Sequence, residues 1–366
     1  MERLEVKYSI VTPLFLAGAD QGKAEVRAPS IKGALRYWYR AVAPRYNLAV
    51  PGGSTTYESE LFGGTGAGEG QARFLIRTSP VSLKEEVVDR ESRILRGVDY
   101  LGFSLKPQRD RRTGQQSFRS CIVPGQDLRV SFLMRPVAKK GIESLVAWKS
   151  LIASIWLLGH VGGLGSRSRR GFGTVSLKEW RMERNPAAEK LLKELPIACN
   201  TDNIEKWYQG FRNGLSRIQS WFDGKPIVDH TVIDPQSSFF YHPAGAASWT
   251  EAMRLAGEYL KEFRKENRGG RMALGLPMMV PQRSIRYEPE GFNRVASPVW
   301  IRVIRAGERF YPFFALLSAP YPSKLKEKCT RRNMADKEYS APDMATMMEQ
   351  LQSYLKNQGF RGEGDR

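Results

Sequence analysis

Charged and apolar residues alternate from Met1 to Ile10, and this period of two predicts a strand over residues 5–11. A polar loop follows through Arg27. Ser30 is suited to an N-cap, and residues 31–43 have the pattern of a helix that Pro44 ends. Ile31, Leu35, Trp38 and Val42 share one face of it, while Lys32, Arg36 and Arg40 recur at intervals of four along another. Further strands are predicted at 72–78 and 129–135. Residues 142–160 form one helix, with apolar Leu145, Val146, Leu151, Ile152, Ile155 and Trp156, and residues 174–180 a strand after it.

The charged stretch 179–196 suggests a boundary, giving a first domain at 1–180 and a second at 181–366. The second half predicts helices at 204–222 and 248–265 and strands at 299–305 and 310–317. A last helix, 341–356, closes at Gly359 ahead of a polar tail. A chain of 366 residues can hold two domains, each with its own core. The order strand–helix–strand–strand–helix–strand in the first half is the ferredoxin-like arrangement of an α+β fold. Periodicity does not give the order of strands in the sheet.

Between the helix at 142–160 and its following strand lies the most informative segment, residues 162–173, Gly-Gly-Leu-Gly-Ser-Arg-Ser-Arg-Arg-Gly-Phe-Gly. Three arginines and two serines stand among glycines that carry no Cβ. Backbone N–H groups and guanidinium forks can therefore close together on a phosphate chain. A mononucleotide P-loop runs from strand through loop into helix and ends in Lys-Ser or Lys-Thr. Neither holds here, so the loop suits a polynucleotide rather than a nucleotide. The alternative from the loop alone is a flexible turn with solvated arginines.

A helix, a basic glycine-rich loop and a strand in this order resemble the RAMP (repeat-associated mysterious protein) superfamily of CRISPR systems. Thr12-Pro13-Leu14-Phe15-Leu16-Ala17-Gly18-Ala19-Asp20 and residues 27–40, Arg-Ala-Pro-Ser-Ile-Lys-Gly-Ala-Leu-Arg-Tyr-Trp-Tyr-Arg, narrow the likeness. They resemble the opening of the first RAMP subunit of Cmr (type III-B) effector complexes, as do Leu61-Phe62-Gly63 and Arg294-Val295-Ala296-Ser297-Pro298. The likeness covers the first 180 or so residues well and the remainder thinly. It implies two ferredoxin-like domains in tandem, a place near the 3′ end of the guide RNA, and target cleavage by a different subunit.

The formal charge of +19 and a pI near 9.9 call for a polyanionic partner. Nucleic acid fits better than a membrane, because the longest apolar run, 151–158, is far short of the ~20 residues of a span. The first ten residues do not read as a signal peptide. Cys121, Cys199 and Cys329 stand far apart without a Cys-x-x-Cys pair, and only three histidines are present. This disfavours a structural zinc site or a disulfide framework and fits a reducing cytoplasm. No carboxylate cluster suggests Mg²⁺ chemistry, and Asp20 reads as a turn residue.

The function expected from these features is a non-catalytic RNA-binding subunit without cofactor. Its partners would be guide RNA, single-stranded target RNA and other Cmr RAMP subunits. Gly163, Gly165 and Ser166 would offer backbone and hydroxyl donors. Arg167, Arg169 and Arg170 would neutralise phosphates, and Lys32, Arg36, Arg40 and Arg294 would extend the track. Two alternatives remain. One is a metal-independent endoribonuclease using His160, which adjoins the loop; His230 and His242 read as loop histidines. The other is a protein scaffold without RNA contact. A basic loop at 106–117 holds Arg109, Arg111 and Arg112. Residues 267–294 mix Arg268, Arg271, Arg283 and Arg286 with Tyr287 and Phe292 as stacking surfaces. Met272, Met278 and Met279 there suit packing against protein.

Overall fold

The computed structural model describes residues 1–79, 83–89, 91–109, 114, 116–136, 142–226, 228–280, 284–329 and 336–363. Four strands, β1 (Arg3–Ile10), β2 (Phe74–Thr78), β3 (Asp127–Met134) and β4 (Val175–Glu183), form an antiparallel sheet in the order β2-β3-β1-β4. Helix α1 (Ala28–Val42) joins β1 to β2, and α2 (Ser144–His160) joins β3 to β4. The alternation in β1 buries Leu4, Val6, Tyr8 and Ile10 against these helices. α2 is buried from Ser150 to His160 without interruption, because it lies between the sheet and the second half of the chain.

α1 begins earlier than expected. Its N-cap is Arg27, with Pro29 in the first turn, so Ser30 lies inside the helix. β4 runs through residue 180 to Glu183, and the charged stretch after it contains a further helix, Pro186–Glu194, capped by Asn185.

The second half does not repeat the four-stranded, two-helix arrangement of the first. Helix α3 (Ile204–Ser220) leads to β5 (Ser238–Tyr241), α4 (Trp249–Glu266), β6 (Val299–Ala306), β7 (Arg309–Leu316) and α5 (Met344–Asn357). The sheet has three strands, β6-β7-β5, and Arg361 adds one isolated bridge to Tyr241. A separate sheet lies beside it, built from the strands Met278–Val280, Ile285–Pro289, Lys324–Cys329 and Lys337–Ser340. Sequence periodicity does not indicate these strands.

The two halves share their cores. Trp207 and Phe211 of α3 and Phe313 of β7 pack with Trp156 of α2. In the second cluster Phe15 and Phe172 from the first half meet Met253 and Ile301 from the second. Burying such side chains contributes about 1.5–3 kcal/mol each. The halves are therefore joined across their hydrophobic interiors.

Candidate nucleic-acid interface

The loop between α2 and β4 is packed against the segment that follows β1. Ser166 N–H donates to Phe15 C=O at 2.8 Å, Gly173 N–H to Pro13 C=O at 2.9 Å, and Leu164 N–H to Gly173 C=O at 2.9 Å. Gly165 and Gly173 have φ of 78° and 61°, and a Cβ on either would strike a backbone carbonyl oxygen, of Phe15 or Leu164 respectively. The loop is thus a fixed platform. Of the expected donors, Gly163 is buried and the Ser166 N–H is spent on Phe15, while Gly165 is exposed and Ser166 lines the arginine cleft with its hydroxyl-bearing side chain.

What the platform presents is its arginines. Arg167, Arg169 and Arg170 line one wall of a cleft of about 1060 Å³. Arg119 comes from the strand Arg119–Ile122, Arg264 from α4 and Arg294 from the segment before β6. Among the described residues that line the cleft there is no carboxylate. Two stretches far apart in sequence, 166–170 and 293–297, line it together, and Arg169 Nη1 donates to Ser297 C=O at 3.3 Å between them.

The three loop arginines are held differently. Arg167 adopts φ 61°, and its Nε donates to Ser104 Oγ at 2.7 Å. Burial, then Arg294 and Arg119, pushes its pKa down. Burial, then Arg264, brings Arg170 down to about 10, so it stays charged at neutral pH, and its buried Nη1 has no hydrogen-bond partner. Arg169 lies over the rings of Tyr37 and Trp300, 5.2 and 5.1 Å from their centroids. Its backbone carbonyl accepts from Ile301 N–H at 3.0 Å. Arg169 ties the loop to β6, while Arg167 and Arg170 have no carboxylate partner among the described residues.

A second cleft, of about 780 Å³, shares Arg264 and Met278 with the first and adds Lys261, Lys265, Arg268 and Arg271, together with Tyr100 and Tyr287. The four cations of α4 and its end follow helical spacing, a signal present in the sequence. Arg119, alone on a short strand, carried none. Of the basic stretch at 267–294, Arg286 pairs with Glu288 at 3.0 Å, and Met279 is 48% exposed. Arg109 sits in a two-residue strand. Arg111, Arg112 and Arg283 lie outside the described residues.

The stripe on α1 is only partly open. Arg36 and Arg40 both pair with buried Glu58, Arg40 through Nε at 2.7 Å, and Arg36 also donates to Gly63 C=O at 2.8 Å. The Glu58 carboxylate raises the pKa of Arg40. Lys32 has no carboxylate partner among the described residues. Arg40→Gln is expected to lower stability by about 1–2 kcal/mol after solvent screening. It should change RNA affinity less than about threefold, since a guanidinium already paired releases little on meeting phosphate. Denaturant titration and RNA binding measured side by side test this.

His160 does not reach the loop's solvent side. It is fully buried, stacked on Trp156 at 3.9 Å. Its Nδ1 donates to Trp156 C=O at 2.8 Å, and Nε2 accepts from Ala198 N–H at 3.2 Å. This position counts against the alternative in which His160 acts as an acid or base on RNA. Burial pushes it from the ordinary 6.5 down to about 3. His230, paired with Asp229 at 2.8 Å, and His242 are also lowered by burial. The unfolded chain therefore takes up protons below about pH 6.5 that the folded chain refuses. The stability is complete above that pH and is lost as pH falls toward 3, at about 1.4 kcal/mol per pH unit for His160 alone. The melting temperature is expected to fall between pH 7.5 and 5; equal values would contradict this account. Asp20 forms the expected turn, with Oδ1 accepting from Gly22 N–H at 2.8 Å.

Among the described residues no group of three or more His, Cys, Asp or Glu is placed to hold a metal ion, and no helix is long and apolar enough to cross a membrane.

The chain is similar to several known proteins. Residues 7–176 match the family model of the RAMP superfamily. The CRISPR system Cmr subunit Cmr1-1 of Pyrococcus furiosus is 24% identical over 318 residues, 85% of each chain. The crystal structure of apo Cmr1 from Pyrococcus furiosus has a TM-score of 0.62 at 19% identity, covering 99% of this chain and 98% of that one. A chain of the type III-B Cmr-beta complex with cognate target RNA, AMPPnP and single-stranded DNA has a TM-score of 0.54 at 13% identity, covering 96% and 99%. At such identities the structural likeness speaks for the fold. Residues 7–176, which hold the basic glycine-rich loop, thus match the RAMP superfamily, and the chain is similar, along nearly its whole length, to Cmr1 subunits.

Proposed function

We propose that this chain is a non-catalytic RNA-binding subunit of a type III-B CRISPR (Cmr) ribonucleoprotein, acting in the cytoplasm in antiviral defence. It holds RNA of the guide–target pair near the 3′ end of the guide, beside other Cmr subunits. One observation carries this reading: six arginines from both halves of the chain line a single cleft whose described walls offer no carboxylate. The Cmr-beta complex to which a similar chain belongs holds cognate target RNA, which supports the same reading.

Arg167, Arg170, Arg264 and Arg294 neutralise phosphates, Gly165 and Ser166 border them, and the second cleft continues the track along α4. Contacts of this kind read backbone shape, as suits a complex whose target is chosen by base pairing. The second half is a reduced form of the first, its fourth ferredoxin-like strand shortened to the Arg361–Tyr241 bridge.

The test is binding of the purified chain to end-labelled single-stranded RNA in EDTA, resolved on native and denaturing gels across a salt series. Retarded, intact RNA is expected, with log K falling linearly in log salt by about 0.7 per phosphate neutralised. Cleaved RNA would overturn the non-catalytic reading. RNA that stays free, both with the chain alone and at this subunit within the assembled complex, would overturn the binding reading.

A further inference from the structure

Beside the arginine cleft the chain exposes aromatic surface that the fold does not use. A short helix, Asp99–Gly102, runs into the turn Phe103–Leu105. Leu101 and Leu105 are buried at 1% and 0% exposure, and Gly102 packs on Phe172, so the turn is anchored in the core. Phe103 points out of it with 74% of its surface exposed, and Tyr100 with 39%. A single exposed phenylalanine would need no explanation. This one lines a recess of about 360 Å³ together with Arg167, Arg170 and Arg264, the same arginines that line the main cleft. The adjoining Ser104 is bonded to Arg167 Nε. Asp99, the one carboxylate among the described residues at the recess, is paired with Lys106 at 2.5 Å. The unpartnered Nη1 of Arg170 adds an anion site without a protein anion.

Cations for a phosphate and a fixed aromatic face within one nucleotide's reach are the two parts of a single-strand site. We propose that the Tyr100–Phe103 turn is a base-stacking shelf, on which an unpaired RNA nucleotide rests its base while Arg167, Arg170 and Arg264 hold its phosphates. The shelf rests on the RNA-binding reading above and narrows it. The strand in this part of the cleft is single, because bases inside a duplex are already stacked and the deep major groove of an A-form helix keeps side chains out. Stacking on Phe103 is indifferent to which base is presented.

The test uses the full chain with Phe103→Ala and Phe103→Trp and a single-stranded RNA carrying 2-aminopurine at successive positions. Phe103 is exposed, so both variants should melt with the wild type. Phe103→Ala is expected to bind about 5- to 150-fold more weakly with an unchanged salt slope, and Phe103→Trp to retain affinity. At one position 2-aminopurine fluorescence should be quenched by the wild type and not by Phe103→Ala. An abasic nucleotide at that position should weaken the wild type and make Phe103→Ala no worse. Wild-type affinity in Phe103→Ala with the salt slope intact would overturn the shelf and leave the RNA cleft standing. Absence of salt-dependent binding in the wild type would instead overturn the RNA reading itself. Unchanged RNA affinity with weakened assembly onto other Cmr subunits would make the turn a protein contact and overturn the shelf.

Discussion

Replacing Arg167, Arg170 and Arg294 together by glutamine should lower affinity for single-stranded RNA by roughly a thousandfold at low salt. The figure follows from about 1.5 kcal/mol for each charge-assisted hydrogen bond to phosphate that the variant can no longer make. The weakening should be similar for unrelated RNA sequences, since these side chains meet phosphates and not base edges. The slope of log K against log salt should flatten by about 2, or about 0.7 for each of three phosphates on a single strand. Arg169 is left in place because it holds the loop between Tyr37 and Trp300. The three chosen side chains leave the shared cores untouched, apart from the Arg167 bond to Ser104. An unchanged salt slope in this variant would remove the cleft from the RNA interface.

Arg302→Met should destabilise the chain by at least about 4 kcal/mol, among the largest single-residue effects to be expected. Arg302 of β6 is 1% exposed and has no carboxylate partner among the described residues. Its Nη1 donates to Gly162 C=O at 2.8 Å and Leu158 C=O at 3.4 Å. Its Nη2 donates to Gly159 C=O at 2.5 Å, Val175 C=O at 2.8 Å and Ser176 Oγ at 3.1 Å. These carbonyls include the last turn of α2, the negative end of a helix dipole, which serves as the counter-charge. Burial lowers its pKa to about 10, so it remains protonated at neutral pH. Methionine fills the volume but strands those acceptors without donors. Arg302→Lys keeps a charge with fewer and less suitably placed donors and should lose an intermediate amount. The denaturant midpoint at constant m measures the effect. A midpoint close to the wild type would show that the pin is dispensable. Because Gly162 opens the arginine loop, a surviving fraction of folded variant should also bind RNA more weakly.

Local pattern made much of this protein legible. β1, α1, α2 and the arginine loop were readable because side-chain periods of 2 and 3.6, proline stops and glycine content act within a few residues. The helices α3, α4 and α5 and the strands β6 and β7 followed in the same way, each within a few residues of its observed ends. The small sheet of Met278–Val280 and its partners was not readable, since its strands are only three to six residues long and carry no sustained alternation. The boundary at 180 rested on a charged stretch that proved to hold the end of β4 and a capped helix.

The site divides along the same line. The sequence by itself determined that the chain is strongly basic, that a fixed series of arginines follows α2, and that Arg294 belongs to a second basic motif. Only the tertiary structure decided which of these charges stay available. Glu58 engages Arg36 and Arg40 from 18 or more residues away. Trp156 and Ala198 enclose His160. Arg302 crosses 140 residues of sequence to reach Gly162. A charge pattern records what a side chain carries. Whether that charge is neutralised, buried or left lining an open cleft depends on neighbours that meet it only when the two halves close around a common core.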